Sequence, residues 1–395
     1  MHLISMQFTK RSIFITFILT AIFAFTNKAS ATEVLFSGFS FTGQYDQREQ
    51  LYPWATKLSA EATENGSILD VSLREALQGF KSSNINLITD QAAKVGKGPS
   101  VTLAFGLGRE SVEEVKSNTD VISIYRVMTR IVAFDWEEKK LIASFPVQVV
   151  YQNVTTSSPT FEQHLNIFKK MYTDQSFDGN VFKAWVARLG EVEIKDKYGL
   201  YFGISDVSLD DGARNQLPQT LTESSYKSLV AQTLESTLSQ AQKISVVPFT
   251  SGESVGRNMA MRFSDATTLN LTLPDPDYTM NITVKEFKNV EKVKGRVRKI
   301  FVASYINSEV TLNDSDFKKT YFNADMKHIN AMVFSTTDDV KIDYWSTYQT
   351  ALRTLLSRFA IQISEKDPEI LKSMSPKLDL KKPFEKLETV LEKCR

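Results

Sequence analysis

Cysteine is all but missing from this chain: one occurs in 395 residues, Cys394, beside the carboxyl end. An internal disulfide needs two, so stability must come from packing. Cys394 is expected as a free thiol on the tail, with an intermolecular disulfide as the alternative. Histidine is almost as scarce. Past the amino terminus only His164 and His328 remain, neither with a second histidine at metal-ligand spacing, and neither H-E-x-x-H nor Cys-x-x-Cys occurs. These gaps argue against a zinc site, and no catalytic, cofactor-binding or metal-binding residue is assigned. A Walker sequence is lacking too, and Gly106-Leu107-Gly108 has Ser111 where a dinucleotide fingerprint requires its third glycine. No later apolar run approaches the about 20 residues that span a bilayer, so no integral membrane segment is expected.

What is present begins with a leader. Lys10 and Arg11 precede an apolar run from Ile13 to Phe25, and Ala29-Ser30-Ala31 follows as a small-x-small cleavage site. This is the pattern of a signal peptide over residues 1–31, cleaved after Ala31; no cysteine lies there for lipidation. Cleavage removes Lys10, Arg11 and Lys28 and no acid, which takes the 47 basic residues to 44 against 46 acidic ones, a net charge of −2. That balance argues against nucleic acid or an anionic membrane surface as the main partner. Hydrophobic content of 42%, with 26 Phe, is enough for more than one core. Asn-x-Ser/Thr sequons stand at Asn65, Asn153, Asn270, Asn281 and Asn313.

The chain also reads as two similar halves. Val101 to Val115 and the strand-like run Val121 to Phe134 find counterparts in Thr279 to Val293 and Ile300 to Leu312. A period of roughly 165 residues is a whole domain rather than a solenoid repeat. The expected units are 32–197 and 198–363, followed by a polar tail, 364–395, ending in a short helical pattern from Phe384 to Glu392. In the first unit a strand from Val34 to Phe41 leads to a helix with Leu73, Ala76, Leu77 and Phe80 on one face, then a short strand at Ile85 to Ile88. A hairpin turns at Asp135 to Glu138, and its return limb alternates apolar residues from Leu141 to Tyr151. Pro146 lacks a donor and places that limb near a sheet edge. A helix bearing Phe182, Trp185, Val186 and Leu189 closes the unit. The second unit repeats the order, with helices carrying Tyr226 to Leu238 and Trp345 to Phe359, and a hairpin turn at Asn313 to Asp316.

One motif invites a catalytic reading. Gly252-Glu253-Ser254-Val255-Gly256 fits G-x-S-x-G after the strand Ile244 to Phe249 and before a predicted helical run from Arg257 to Ala266. A serine hydrolase would pair Ser254 with His328 and an acid among Asp275, Asp277 and Asp316. Against it, Thr250-Ser251 lengthens the turn, and the surrounding strands read as antiparallel. The acidic pairs Glu137-Glu138, Asp210-Asp211, Asp275-Asp277 and Asp338-Asp339 fall in predicted turns, where carboxylates cap helices or stay solvated.

The order of opening strand, helix, short strand, long antiparallel strands and closing helix resembles the periplasmic domain of the curli secretion protein CsgG and the amino-terminal domain of TolB. Ile244-Ser245-Val246-Val247-Pro248-Phe249 is similar to a strand of those domains, although there it opens the domain. The sequence is therefore expected to form an α+β fold, an α/β sandwich of two tandem domains with largely antiparallel sheets. The resemblance implies a periplasmic, non-enzymatic component of a bacterial envelope assembly, associated with the outer membrane. Its expected partners are envelope or secretion-complex proteins or further copies of itself, bound through strand edges and inter-domain grooves. A small-ligand binder with an apolar cleft near Lys195 to Tyr198 is the third expectation.

Overall fold

The computed structural model describes residues 31–43, 47–64, 66–89, 101–116, 120–195, 197–250, 257–312, 319–335 and 342–395. The opening strand, β1 (Thr32–Thr42), shows how local sequence sets the architecture. Val34 and Phe36 point into the core, and so do Phe39 and Phe41, so the inward phase changes by one residue between them. The change is made at a bulge where Gly38 takes φ +108°. Asp70 closes the site: its Oδ1 accepts the Phe39 amide at 3.1 Å and would lie 2.8 Å from any Cβ at position 38.

β1 runs parallel to β4 (Ile85–Ile88) and β5 (Val101–Lys116), and β5, β6 (Val121–Asp135) and β7 (Lys140–Thr155) form an antiparallel meander. The expected β6–β7 turn forms because Asp135 Oδ1 accepts the amides of Glu137 and Glu138, both at 2.8 Å. Pro146 sits where β7 has β6 as its paired neighbour. Five helices serve the inner face: α1 (Arg48–Leu51), α2 (Pro53–Ser59), α3 (Ile68–Ala76), α4 (Phe161–Thr173) and α5 (Val181–Glu191). Between α2 and α3 lies a two-stranded ribbon, β2 (Ala62–Thr63) and β3 (Gly66–Ser67). Phe36, Phe105, Phe168, Phe182 and Trp185 fill the core beneath them, each contributing on the order of 1.5–3 kcal/mol of transfer free energy.

The second half opens with β8 (Phe202–Leu209), α6 (Asp211–Arg214), α7 (Glu223–Gln242) and the short β9 (Val246–Val247). Next come β10 (Asn258–Phe263) and β11 (Thr268–Thr272), then β12 (Tyr278–Lys294), β13 (Val297–Leu312), β14 (Thr320–Ser335) and α8 (Tyr344–Glu365). Its sheet runs β14-β13-β12-β8-β9, with β8 parallel to β9 and β12 and the last three strands antiparallel, the same order and directions as β7-β6-β5-β1-β4. Both long meanders carry a bulge at a matching place, between Leu107 and Arg109 in β5 and between Val284 and Glu286 in β12. The molecule is α+β, as expected.

Three expectations need correction. The run from Arg257 to Ala266 is not helical: Met259, Met261 and Phe263 alternate inward along β10. Nor does a boundary at 197/198 separate two self-contained sheets. β10 and β11 leave the second half and join the first sheet, β10 pairing with the end of β1 and β11 with Lys140 of β7. The strands β1-β5-β6-β7-β11-β10 thereby close into a ring around Met261, Leu271, Phe134 and Val132. Finally, residues 364–395 are no solvated tail. They form α9 (Pro368–Met374) and α10 (Lys381–Glu392), which bury Leu371, Met374, Phe384, Leu387, Val390 and Leu391 in the second core. Cys394 is buried with them, only 2% exposed, and its Sγ lies 3.6 Å from the Val390 carbonyl oxygen. An intermolecular disulfide does not fit that position.

The two halves are stacked rather than strung. Helix α7 packs Tyr226, Val230, Leu234 and Leu238 into the second core, yet its opposite side, with Glu235, Ser236 and Ser239, is buried too. That side lies on the outer face of the first sheet. The layers therefore run helices, first sheet, α7 with α8, second sheet.

Candidate functional site

Among the described residues, what α7 and α8 do for β5 and β6 of the first sheet is not done for the second. On the outer face of β6, Ile124, Arg126, Met128, Arg130, Val132 and Phe134 are all buried. Arg130 there meets Glu235 of α7 at 3.0 Å and donates to Ser144 Oγ, while Glu235 also accepts the amide of Phe249. Burial pushes the Glu235 carboxyl above its ordinary value, opposed by Arg130 and the Phe249 amide. Further along, Glu113 of β5 binds Arg353 of α8 in a bidentate pair at 3.0 and 2.8 Å. Arg126 lies 3.4 Å from the same carboxylate; burial first, and Arg353 second, pull its pKa down to about 10.

The equivalent strand of the second sheet, β13, presents Lys299, Phe301, Tyr305, Asn307 and Glu309 outward, and none of them is buried. Among the described residues this outer face carries an open apolar strip on its distal half. Register places Val290, Phe301 and Ala331 in one row and Lys288, Ala303 and Ile329 in the next. Val290 is 49%, Ile329 44% and Val333 62% exposed, values that mark a face turned to solvent. Lysines flank the strip. Lys288 Nζ lies 6.0 Å from the Tyr305 ring centroid and Lys292 Nζ 5.7 Å from that of Phe301, both stems lying along the sheet. Lys299 and Lys327 occupy the same face, and in the five rows from Glu286 to Lys294 the one acid is Glu286, bound to Lys288 at 2.7 Å. The hairpin joining β12 to β13 turns at Gly295, φ +60°.

Sequence reasoning missed this face. Its signal was available: Lys292 to Lys299 holds five cations, Lys292, Lys294, Arg296, Arg298 and Lys299, and no acid, alternating with Val293 and Val297. The whole-chain charge balance averages that cluster away.

The residues weighed for chemistry are scattered. Gly252 to Gly256, with Ser254, lies outside the described residues, as do Asp316, Asp338, Asp339, Asn65, Asn313 and the 1–30 leader. The strand that follows the motif removes the strand-turn-helix setting that a nucleophile elbow uses. His328 sits on β14 and shares a 2.8 Å hydrogen bond with Asn330; burial, with Arg358, lowers its pKa. His164, on α4, shares a 3.0 Å bond with the Tyr125 hydroxyl and lies 3.6 Å from Glu114. Asp277 accepts the Tyr201 amide, and Asp275 pairs with Arg257. Gly106 is required by packing, since a Cβ there would stand 2.8 Å from Thr42 Cγ2. Among the described residues no group of three His, Cys, Asp or Glu could hold a metal ion.

At Lys195 to Tyr198, where a ligand cleft was expected, Ile194 and Tyr198 are packed into the first core and Lys195 Nζ donates to the Arg395 carbonyl at 3.0 Å. A concavity of about 410 Å³ lies instead between α9 and α10, lined by Lys366, Lys372, Lys377 and Lys381 with Leu371 and Leu378. Lys366 is already engaged there by Glu388 at 2.6 Å. No described helix is long and apolar enough to cross a membrane.

No family model matches the chain, and no curated protein does. Among solved structures it is similar to the hypothetical protein CT253 from Chlamydia trachomatis, with TM-score 0.24 and 14% identity over 40% of this chain and 96% of that one. It is similar to a protein described as a homolog of neuraminyllactose-binding hemagglutinin from Helicobacter pylori, with TM-score 0.24 and 12% identity over 42% and 86%. A minor lipoprotein from Acinetobacter baumannii gives TM-score 0.18 and 11% identity over 41% and 89%. Likenesses at this level carry no functional argument.

Proposed function

We propose that this chain is a non-enzymatic component of a bacterial envelope assembly, exported to the periplasm, and that it works by docking a protein partner on the outer face of its second sheet. One observation carries the reading: on the distal outer face of the second sheet Val290, Phe301, Ile329 and Val333 are wholly or partly open and carry a basic fringe, where Ile124, the β6 counterpart of Phe301, is buried and its row partner Glu113 binds Arg353 of α8. An exposed apolar patch with a charged rim is the usual mark of an interaction site. The resemblance to CsgG and TolB domains and the leader supply the compartment. The second half of the expected mechanism, edge pairing, is limited on the first sheet by Pro146 and by ring closure.

The test compares the mature chain with a Val290→Asp/Ile329→Asp variant as baits in crosslinked envelopes. Envelope proteins enriched with the first and lost with the second, at equal thermal stability of the two baits, are the expected outcome. An identical set from both would sink the docking face. A fluorophosphonate probe covers the catalytic side: labelling that disappears in Ser254→Ala would overturn the non-enzymatic reading.

A further inference from the structure

We infer that the occupant of this open face is an amphipathic helix of another protein with carboxylates along its flanks, laid across β12 and β13 as α8 is laid over Glu113 of β5 and Arg126 of β6. The inference rests on the docking reading above and names the chemistry of the partner. Three observations lead to it.

The first is the template inside the chain. The two meanders share strand order, direction and bulge position, so their rows correspond: Val290 and Phe301 stand where Glu113 and Ile124 stand on the first sheet. At those rows of the first sheet the complementary element is α8, which sends Arg353 to Glu113, while Val150 and Val154 on β7 stay exposed. A surface that accepts a helix on one sheet has a geometric equal on the other.

The second is charge. The first sheet's face exchanges both signs with its helices, Arg130 to Glu235 and Glu113 to Arg353. The second sheet's distal face offers cations almost alone, from Lys288, Lys292, Lys299 and Lys327, so its helix must supply the acids. The same imbalance disfavours a second copy docked face to face, which would set lysine against lysine.

The third is where the ammonium groups lie. Lys288 and Lys292 rest beside the rings of Tyr305 and Phe301 rather than standing off the sheet. A helix seated on the strip from Val290 to Ile329 brings its flanking carboxylates to that level. A bilayer surface would need ammonium groups that project beyond the apolar strip toward the lipid phosphates.

Photo-crosslinking in the source cells tests this. The full chain carries p-benzoylphenylalanine at position 301, and each crosslinked partner segment is identified by mass spectrometry. The expected segment has net negative charge and apolar residues at i, i+3, i+4 and i+7, and the Lys288→Glu/Lys292→Glu/Lys299→Glu variant lowers its yield at least tenfold with unchanged thermal stability. A partner segment that is basic or lacks helical periodicity overturns the helix inference and leaves the docking face standing. A crosslink to a second copy of this chain, or to phospholipid alone, overturns the inference and the choice of an outside protein together. Absence of any adduct at 301, with the protein present in the envelope, removes both.

Discussion

Glu110 carries its carboxyl into the first core, where it meets donors without a full charge. Its oxygens accept the Trp54 amide at 2.9 Å, the Ala55 amide at 3.0 Å and the Tyr172 hydroxyl at 2.7 Å, which ties the start of α2 to β5 and α4. Burial raises its pKa to about 7, and the Tyr172, Ala55 and Trp54 bonds hold the rise back. The folded state keeps the proton longer than the unfolded chain does. Between the ordinary carboxyl value and about 7, stability therefore falls as pH rises, by on the order of 3 kcal/mol across the window if Glu110 acts alone. Glu110→Gln keeps an acceptor for both amides and removes the titration. Urea unfolding at pH 4.5 and pH 8 is expected to show a difference between wild type and variant that closes at the acid end. A constant difference at both pH values would exclude Glu110 as its source.

The Arg130–Glu235 pair makes a second prediction at this scale. Arg130→Met leaves a carboxyl buried beside an apolar chain and is expected to cost about 3–5 kcal/mol, while Arg130→Met with Glu235→Leu recovers most of that loss. A double variant no more stable than the single one would show that the pair acts through packing alone. Cys394 offers a reporter. Burial pushes its thiol up to about 12, so little thiolate is present near neutral pH, and reaction with a thiol reagent is expected to follow unfolding. Rapid labelling of the native chain would place Cys394 outside the core.

At the scale of elements, the helical stripes were legible because Leu73 and Leu77, Trp185 and Leu189, and Leu352 to Phe359 repeat at helical spacing. The long alternating limbs of β7 and β13 were equally plain. Elsewhere a local signal was present and outweighed. Thr160 and Gln163 form a capping box, each side chain bonding the other's amide, and it announces α4, which the sequence reading left out. In α10 the spacing of Phe384, Leu387 and Leu391 is that of a buried face set within a lysine-rich segment. β10 is the harder case: Met259, Ala260 and Met261 have no β-branched side chain, and the alternation that makes a strand of them is satisfied only by the first sheet, distant in sequence. Phe384 is fully buried against Phe322 and Phe359. Phe384→Ala is expected to lower stability by about 3–5 kcal/mol in denaturant unfolding, the loss of a core aromatic. A change under about 1 kcal/mol would return residues 364–395 to the status of a tail.

For the whole molecule, the stacked layers alter what a fragment can do. Residues 32–197 alone would expose Met128, Arg130 and Val132 on the outer face and lack the two strands that close the ring. Such a fragment is expected to lack a cooperative transition, whereas the full chain unfolds in one. Circular dichroism melts of the two settle this, and a sharp independent transition for the fragment would count against interlocked halves. The candidate face belongs to this scale too. Its lysines and valines were visible in the sequence one by one, but their gathering on one open surface depends on the register of three strands and on none of the described residues being laid over them.

The crossing of β10 and β11 into the first sheet has a consequence in time. The end of β1 finds its partner in β10 only after a chain length on the order of 200 residues has followed it, a closure of high contact order. A chain that crosses a membrane amino end first would deliver the first sheet long before the strands that seal it. Until then Ala104, Val132 and Phe134 would stand unsealed at the open side of that sheet. In such a crossing the emerging half-molecule would have to wait, sticky and incomplete, and a holding chaperone on the far side would find its client in that interval.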